Sequence, residues 1–321
     1  MKFLGIEVLR GMAAFGIVGC HLLLGPRTVC GNLLTSLCDF NVGLFAAVSG
    51  FLMCGNKGEH GWLGYGGKRA RRLLPTYFFW SAMFILATVT FDLLLDGGRL
   101  NPKYGTWVFW GKVVFAGDAS THLWFLVCLF YVQVFLWYAF RVCASRWFGV
   151  VWIALGGLLV GVTGSSAAWF CRYPLRIAVF LVTGYGMGCC LQGVLLEACG
   201  KYNRLVWCCA AGALALHVVA GQRVPGFVKD WLAVGPVLLA FVGWDIKRER
   251  AVKVAAVLGA TSLGVYLVHP LVTRALSVVA GRLVQPPFSA WVVLGDWVLA
   301  WGLSLVAAAV MGRVPGVRRV V

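Results

Sequence analysis

The feature that most constrains this chain is its succession of long apolar runs. Runs of about 15 to 23 residues are the length that crosses a bilayer as a helix. Ten occur, near residues 7–26, 40–55, 73–95, 123–140, 148–166, 175–196, 205–220, 231–245, 254–273 and 290–311. In hydrocarbon the backbone must satisfy its own hydrogen bonds, so such runs predict an all-α, polytopic membrane protein with about ten transmembrane helices. With 61% hydrophobic and 12% charged residues and a mean hydropathy of +0.86, the chain lies far from soluble globular composition.

The formal charge of +17 would point to nucleic acid in a soluble protein, but here the basic residues cluster in short loops between the runs. With a cytoplasmic N-terminus, roughly 18 of the 28 Lys and Arg residues fall inside and roughly 10 outside. An even number of spans then returns the C-terminus to the cytoplasm. The stretch from Asp96 to Thr121 is too broken for a span and reads as an amphipathic helix at the outer interface. No linker or appended soluble domain is evident, so residues 1–321 read as one transmembrane domain without a cleavable signal peptide. The twelve cysteines include no C-x-x-C pair and point to no metal site. Cys30 and Cys38 flank one outside loop and are candidates for a bridge in an oxidising compartment, a pairing the sequence leaves open.

Within this apolar background the ionisable groups stand out, because each is costly in a bilayer and is usually retained for a task. The first run carries Glu7, Arg10 and His21. Eleven steps separate Arg10 from His21, about 16 Å along a helix and on similar faces. Glu7 lies one turn before Arg10, in reach of an ion pair. A snorkelling arginine and a hydrogen-bonded core histidine would explain the same residues. Lys68-Arg69-Ala70-Arg71-Arg72 follows at the inner face, where Arg69 and Arg72 project together and suit phosphate oxygens, although an orientation signal attracted to anionic lipid accounts for the basic character as well. His122 and Trp124 open the fourth run at the outer boundary. In the ninth, Ser262, Tyr266 and His269 recur at four and three residues and form a polar stripe at membrane depth. His60 and His217 read as structural.

Taken together, these residues resemble the acyltransferase-3 family of integral membrane enzymes. The likeness rests on Arg10 with His21, Phe-x-x-x-Ser-Gly-Phe ending at Phe51, Arg69-x-x-Arg72 with Pro75, His122-Leu-Trp-Phe-Leu126, and Ser262-x-x-x-Tyr266-x-x-His269, in family order. Glu7 stands where the family often has Asp, and Ala46 where it often has a second Phe. The resemblance implies O-acyl transfer, most simply of acetyl, from cytoplasmic acyl-CoA to a hydroxyl of a glycan or lipid-linked sugar in the bacterial inner membrane. It implies acetyl-CoA as donor, no metal and no nucleic-acid partner, and leaves an oligomer possible. Arg10, Arg69 and Arg72 are the expected CoA ligands; His21 is the expected general base or acyl carrier, with Glu7, Tyr266 and His269 also in the catalytic set; His122, Trp124 and Ser262 are expected to contact the acceptor. The rival classes are a secondary transporter or flippase using buried His and Arg as a proton or anion path, and an inert membrane scaffold.

Overall fold

A computed structural model describes residues 4–22, 38, 40–54, 61–95, 102–116, 119–120, 122–142, 146–163, 169–190, 201–220, 226–244, 249–283, 290–315 and 317. Among them are eleven α-helices: α1 (Leu4–Leu22), α2 (Asn41–Cys54), α3 (Trp62–Leu95), α4 (Trp107–Ala116), α5 (Trp124–Val142), α6 (Arg146–Thr163), α7 (Trp169–Cys190), α8 (Asn203–Ala220), α9 (Gly226–Val242), α10 (Glu249–Leu283) and α11 (Ala290–Met311). A 3₁₀ turn at Pro102–Gly105 precedes α4, and no strand is present among the described residues. Ten of the helices stand where the apolar runs predict them. By length and composition five, α1, α3, α5, α10 and α11, are long and apolar enough to cross a membrane. Cys38 is buried as a thiol, whereas its suggested partner Cys30 and the loop histidine His60 lie outside the described residues.

Between helices bathed in lipid tails, association depends on close packing rather than on water exclusion, and small residues permit it. The α2–α7 seam follows that rule. Gly50 leaves no room for a side chain beside the Leu181 carbonyl, and Gly184 none beside the Ala47 carbonyl. The Ser49-Gly50 pair is thereby used for tight packing, with the Ser49 hydroxyl donating to the Phe45 carbonyl of its own helix at 2.9 Å. α1 is held on several sides. It packs along α10, with Gly259 against Glu7, and against α11, where Trp297 stacks on Phe15 at 4.4 Å and donates from Nε1 to the Phe15 carbonyl at 2.8 Å.

The segment before α5 differs from expectation. α4 is helical and leaves large apolar side chains exposed, as an interfacial helix would, yet it runs alongside α3. Tyr104 meets Asp92 near the end of α3, while the Val113 carbonyl accepts from the buried Tyr77 hydroxyl about four turns earlier. The chain therefore folds back along α3 and carries His122 inward, where its ring meets Phe84 rather than the outer boundary.

Candidate active site

Three imidazoles from three separate parts of the chain meet inside the bundle. His21, one residue before the end of α1, lies with its ring centroid 4.9 Å from that of His269 on α10. His269 is 5.4 Å from His122, which enters on the dipping segment before α5. All three lie within electrostatic range of one another. His122 and His269 are buried, and His21 retains partial exposure, which makes it the ring a substrate can reach first. Around them Phe84, Phe125 and Phe45 form aromatic walls, Phe84 against His122 and the other two against Tyr266.

The orientation of His269 follows from the residue after it. Pro270 has no N–H, so the Tyr266 carbonyl four residues earlier loses its helical donor. His269 Nδ1 lies 2.7 Å from that carbonyl oxygen. A carbonyl only accepts, so the proton is on Nδ1 and Nε2 keeps its lone pair. Neither His269 Nε2 nor His122 Nε2 has a well-formed hydrogen bond, although the backbones of Val265 and Leu267 lie beside the two rings. Buried polar atoms of this kind are uncommon and mark where a proton or a substrate hydroxyl can be received. The His122 Nδ1 and Ser120 hydroxyl are 3.0 Å apart, and the Tyr266 hydroxyl donates to the His122 carbonyl. Tyr266 thus clips the backbone of the dipping segment onto α10.

The arginines gather at the opposite end of the same helices. Arg10 pairs with Glu7 at 3.0 Å, both partly exposed. The Arg72 guanidinium lies within electrostatic reach of both Arg69 and Arg10, and Arg69 donates to the Tyr65 hydroxyl at 3.0 Å. Three guanidinium groups and the single Glu7 carboxylate thus form a basic cluster with charge to spare.

Not every expected residue joins these two groups. The buried Ser262 hydroxyl donates at 2.8 Å to the Gly259 carbonyl, one turn back on its own helix and about two turns from His269. Trp124 is half-buried beside Phe125, ring centroids 6.2 Å apart. His217, read as structural, sits under Phe40 and 3.7 Å from Asp230 across the α8–α9 pair, a polar contact on another part of the bundle. Of the aromatic walls, Phe45 and Phe125 stand inside motifs the sequence displays, whereas Phe84 was missed; nothing distinguishes such a phenylalanine from its neighbours in an apolar run. Among the described residues no group of His, Cys, Asp and Glu is arranged to hold a metal ion.

A sequence model described as an acyltransferase domain matches residues 3–312, nearly the whole chain. The helices are therefore those of an integral membrane acyltransferase. More narrowly, the chain belongs to the acyltransferase-3 family. No curated protein and no solved structure matches it.

Proposed function

We propose that this protein transfers an acetyl group from acyl-CoA to a hydroxyl of a glycan or lipid-linked sugar, with the donor entering at the Arg10–Arg69–Arg72 mouth and reacting at the histidines. Both termini then face the cytoplasm, and the ten helices at the apolar runs, the shorter ones included, serve as the spans. The observation that carries this reading is α1 itself. One helix holds a guanidinium beside Arg72 at one end and an imidazole against His269 at the other.

The spacing fits the donor. Arg10 and His21 are about 16 Å apart along α1, and Arg72 lies about 18 Å along α3 from Phe84, which touches His122. The arm of CoA from pyrophosphate to sulfur has the bond count of roughly four backbone residues, which extends to about 15 Å. Phosphates held among the guanidinium groups would deliver the thioester to the level of the imidazoles.

The chemistry balances without a further reactant. The acceptor oxygen attacks the thioester carbonyl carbon while His21 takes the hydroxyl proton as general base. The new C–O bond forms, the C–S bond breaks, and the departing thiolate recovers the proton from His21. His269 and His122 back His21 from the buried side, and Glu7 steadies Arg10.

Purified protein supplied with radiolabelled acetyl-CoA and hydroxyl acceptors tests this. His21→Ala is expected to lower kcat about 10²- to 10⁴-fold, the usual worth of a general base, without weakening CoA binding. Arg69→Ala with Arg72→Ala is expected instead to raise KM for acetyl-CoA by at least about tenfold. Undiminished transfer by His21→Ala would exclude the mechanism, and movement of an unaltered substrate across vesicles would favour a transporter.

A further inference from the structure

A second polar group lies at the end of the bundle opposite the arginine mouth, and no step above uses it. On α3, Phe84 and Phe91 are seven residues apart and share a face. The first packs against His122. The second lies under the Arg274 guanidinium, 4.8 Å from Cζ to ring centroid. Next to it, Asp92 accepts a hydrogen bond from Tyr104 at 2.9 Å, and Arg274 is also within electrostatic reach of Tyr104. The Tyr104 carbonyl in turn accepts from Trp110 Nε1 at 2.9 Å. Partial burial and the Asp92 carboxylate raise the Tyr104 phenol above its ordinary range, so it remains a protonated donor.

From the imidazoles, the group is about 12 Å further along α3 and about 7 Å further along α10. Resting on the acyl-transfer reading, we infer that Asp92, Tyr104 and Arg274 form the acceptor site and select a polyhydroxylated, sugar-like alcohol. A carboxylate, a phenol and a guanidinium converge from two helices and a turn. Among the described residues no ion pair within 4.0 Å joins Asp92 to Arg274, so the two charges do not consume each other. A carboxylate accepts from neighbouring hydroxyls, and a guanidinium fork donates to two oxygens at once. An acceptor held here presents a hydroxyl toward His21, while the thioester arrives from the other end.

The test uses full-length wild type, Asp92→Asn, Arg274→Ala and Arg274→Lys with radiolabelled acetyl-CoA and a panel of methyl glycopyranosides. CoA-induced thermal protection is recorded for each. Asp92→Asn and Arg274→Ala are expected to raise KM for the best glycoside by at least about tenfold, the loss of one charge-assisted contact. Arg274→Lys, keeping charge but not the fork, is expected to fall between, and all are expected to keep CoA protection. Wild-type KM in Asp92→Asn or Arg274→Lys overturns the site, as does loss of CoA protection in those variants, which would make the group a structural clip or lipid anchor. Should Arg274→Ala not fold, Arg274→Lys decides. A wild type protected by CoA that acetylates no glycoside overturns the sugar assignment alone, whereas one neither protected nor active overturns the acyl-CoA reading beneath it.

Discussion

Gly259→Ala probes the seam that carries both His21 and His269. A methyl group at Gly259 would stand 2.6 Å from Glu7 Cδ and 2.7 Å from Glu7 Cβ, and closer still to Oε2. Ordinary carbon contacts lie at about 3.5–4.0 Å, so roughly 1 Å must be found. Rotating the carboxylate away relieves only part of the overlap, because Glu7 Cβ is fixed by the α1 backbone; the helices must part, and the carboxylate leaves Arg10. Gly212→Ala on α8 is the control, since a methyl there meets nothing within 4 Å. Both substitutions gain about 1 kcal/mol of helix propensity. The difference between them is then the clash itself, about 1–3 kcal/mol. A displacement near 1 Å at the reacting groups costs about a hundredfold in rate. Thermal melting in detergent and acetyl transfer measured side by side check this, with Gly259→Ala expected to be less stable than Gly212→Ala and markedly slower. If the two match each other in stability and match wild type in rate, the α1–α10 seam does not set the site.

Other consequences are more local. Gly184→Ala sets a methyl against the Ala47 carbonyl, which has no side-chain freedom to yield, so it is expected to cost at least about 1–3 kcal/mol and to reduce the fraction recovered monodisperse on size-exclusion chromatography. Cys54 and Cys189 have sulfurs 3.2 Å apart across the same seam, so a disulfide-forming oxidant is expected to link α2 to α7, read as a loss of two hydrogens by mass and absent in Cys54→Ser.

How much of this was legible beforehand depended on which force writes the pattern. Hydropathy marks where lipid lies, and the helices stand where the apolar runs do. It does not mark where helices stop: α3 starts at Trp62 and α10 runs from Glu249 to Leu283, well beyond the predicted 73–95 and 254–273, because a helix continues into water without needing apolar residues. The chemical residues stood out for a related reason, since an ionisable group is conspicuous against hydrocarbon. Their meeting was less visible. The inward course of His122 depends on the Tyr77 and Tyr266 hydroxyls reaching the Val113 and His122 carbonyls, long-range contacts that no periodicity announces. Asp92, Tyr104 and Arg274 went unremarked because they lie far apart in sequence and each resembles an ordinary interfacial residue.

The pairing of Pro270 with His269 joins sequence to function most directly. A proline inside a helix removes the hydrogen bond to the carbonyl four residues back and costs about 3 kcal/mol in a soluble helix. Here the orphaned Tyr266 carbonyl is taken up by His269 Nδ1, so the defect in the backbone sets the tautomer and direction of the ring. Pro270→Ala restores a backbone donor for that carbonyl and puts it in competition with the imidazole. The expected variant is at least as stable as wild type on melting, yet slower in transfer by about tenfold, with KM for acetyl-CoA unchanged because the arginine mouth is untouched. A purely structural proline would lose or keep stability and rate together. If Pro270→Ala transfers at the wild-type rate, His269 does not owe its orientation to the missing N–H.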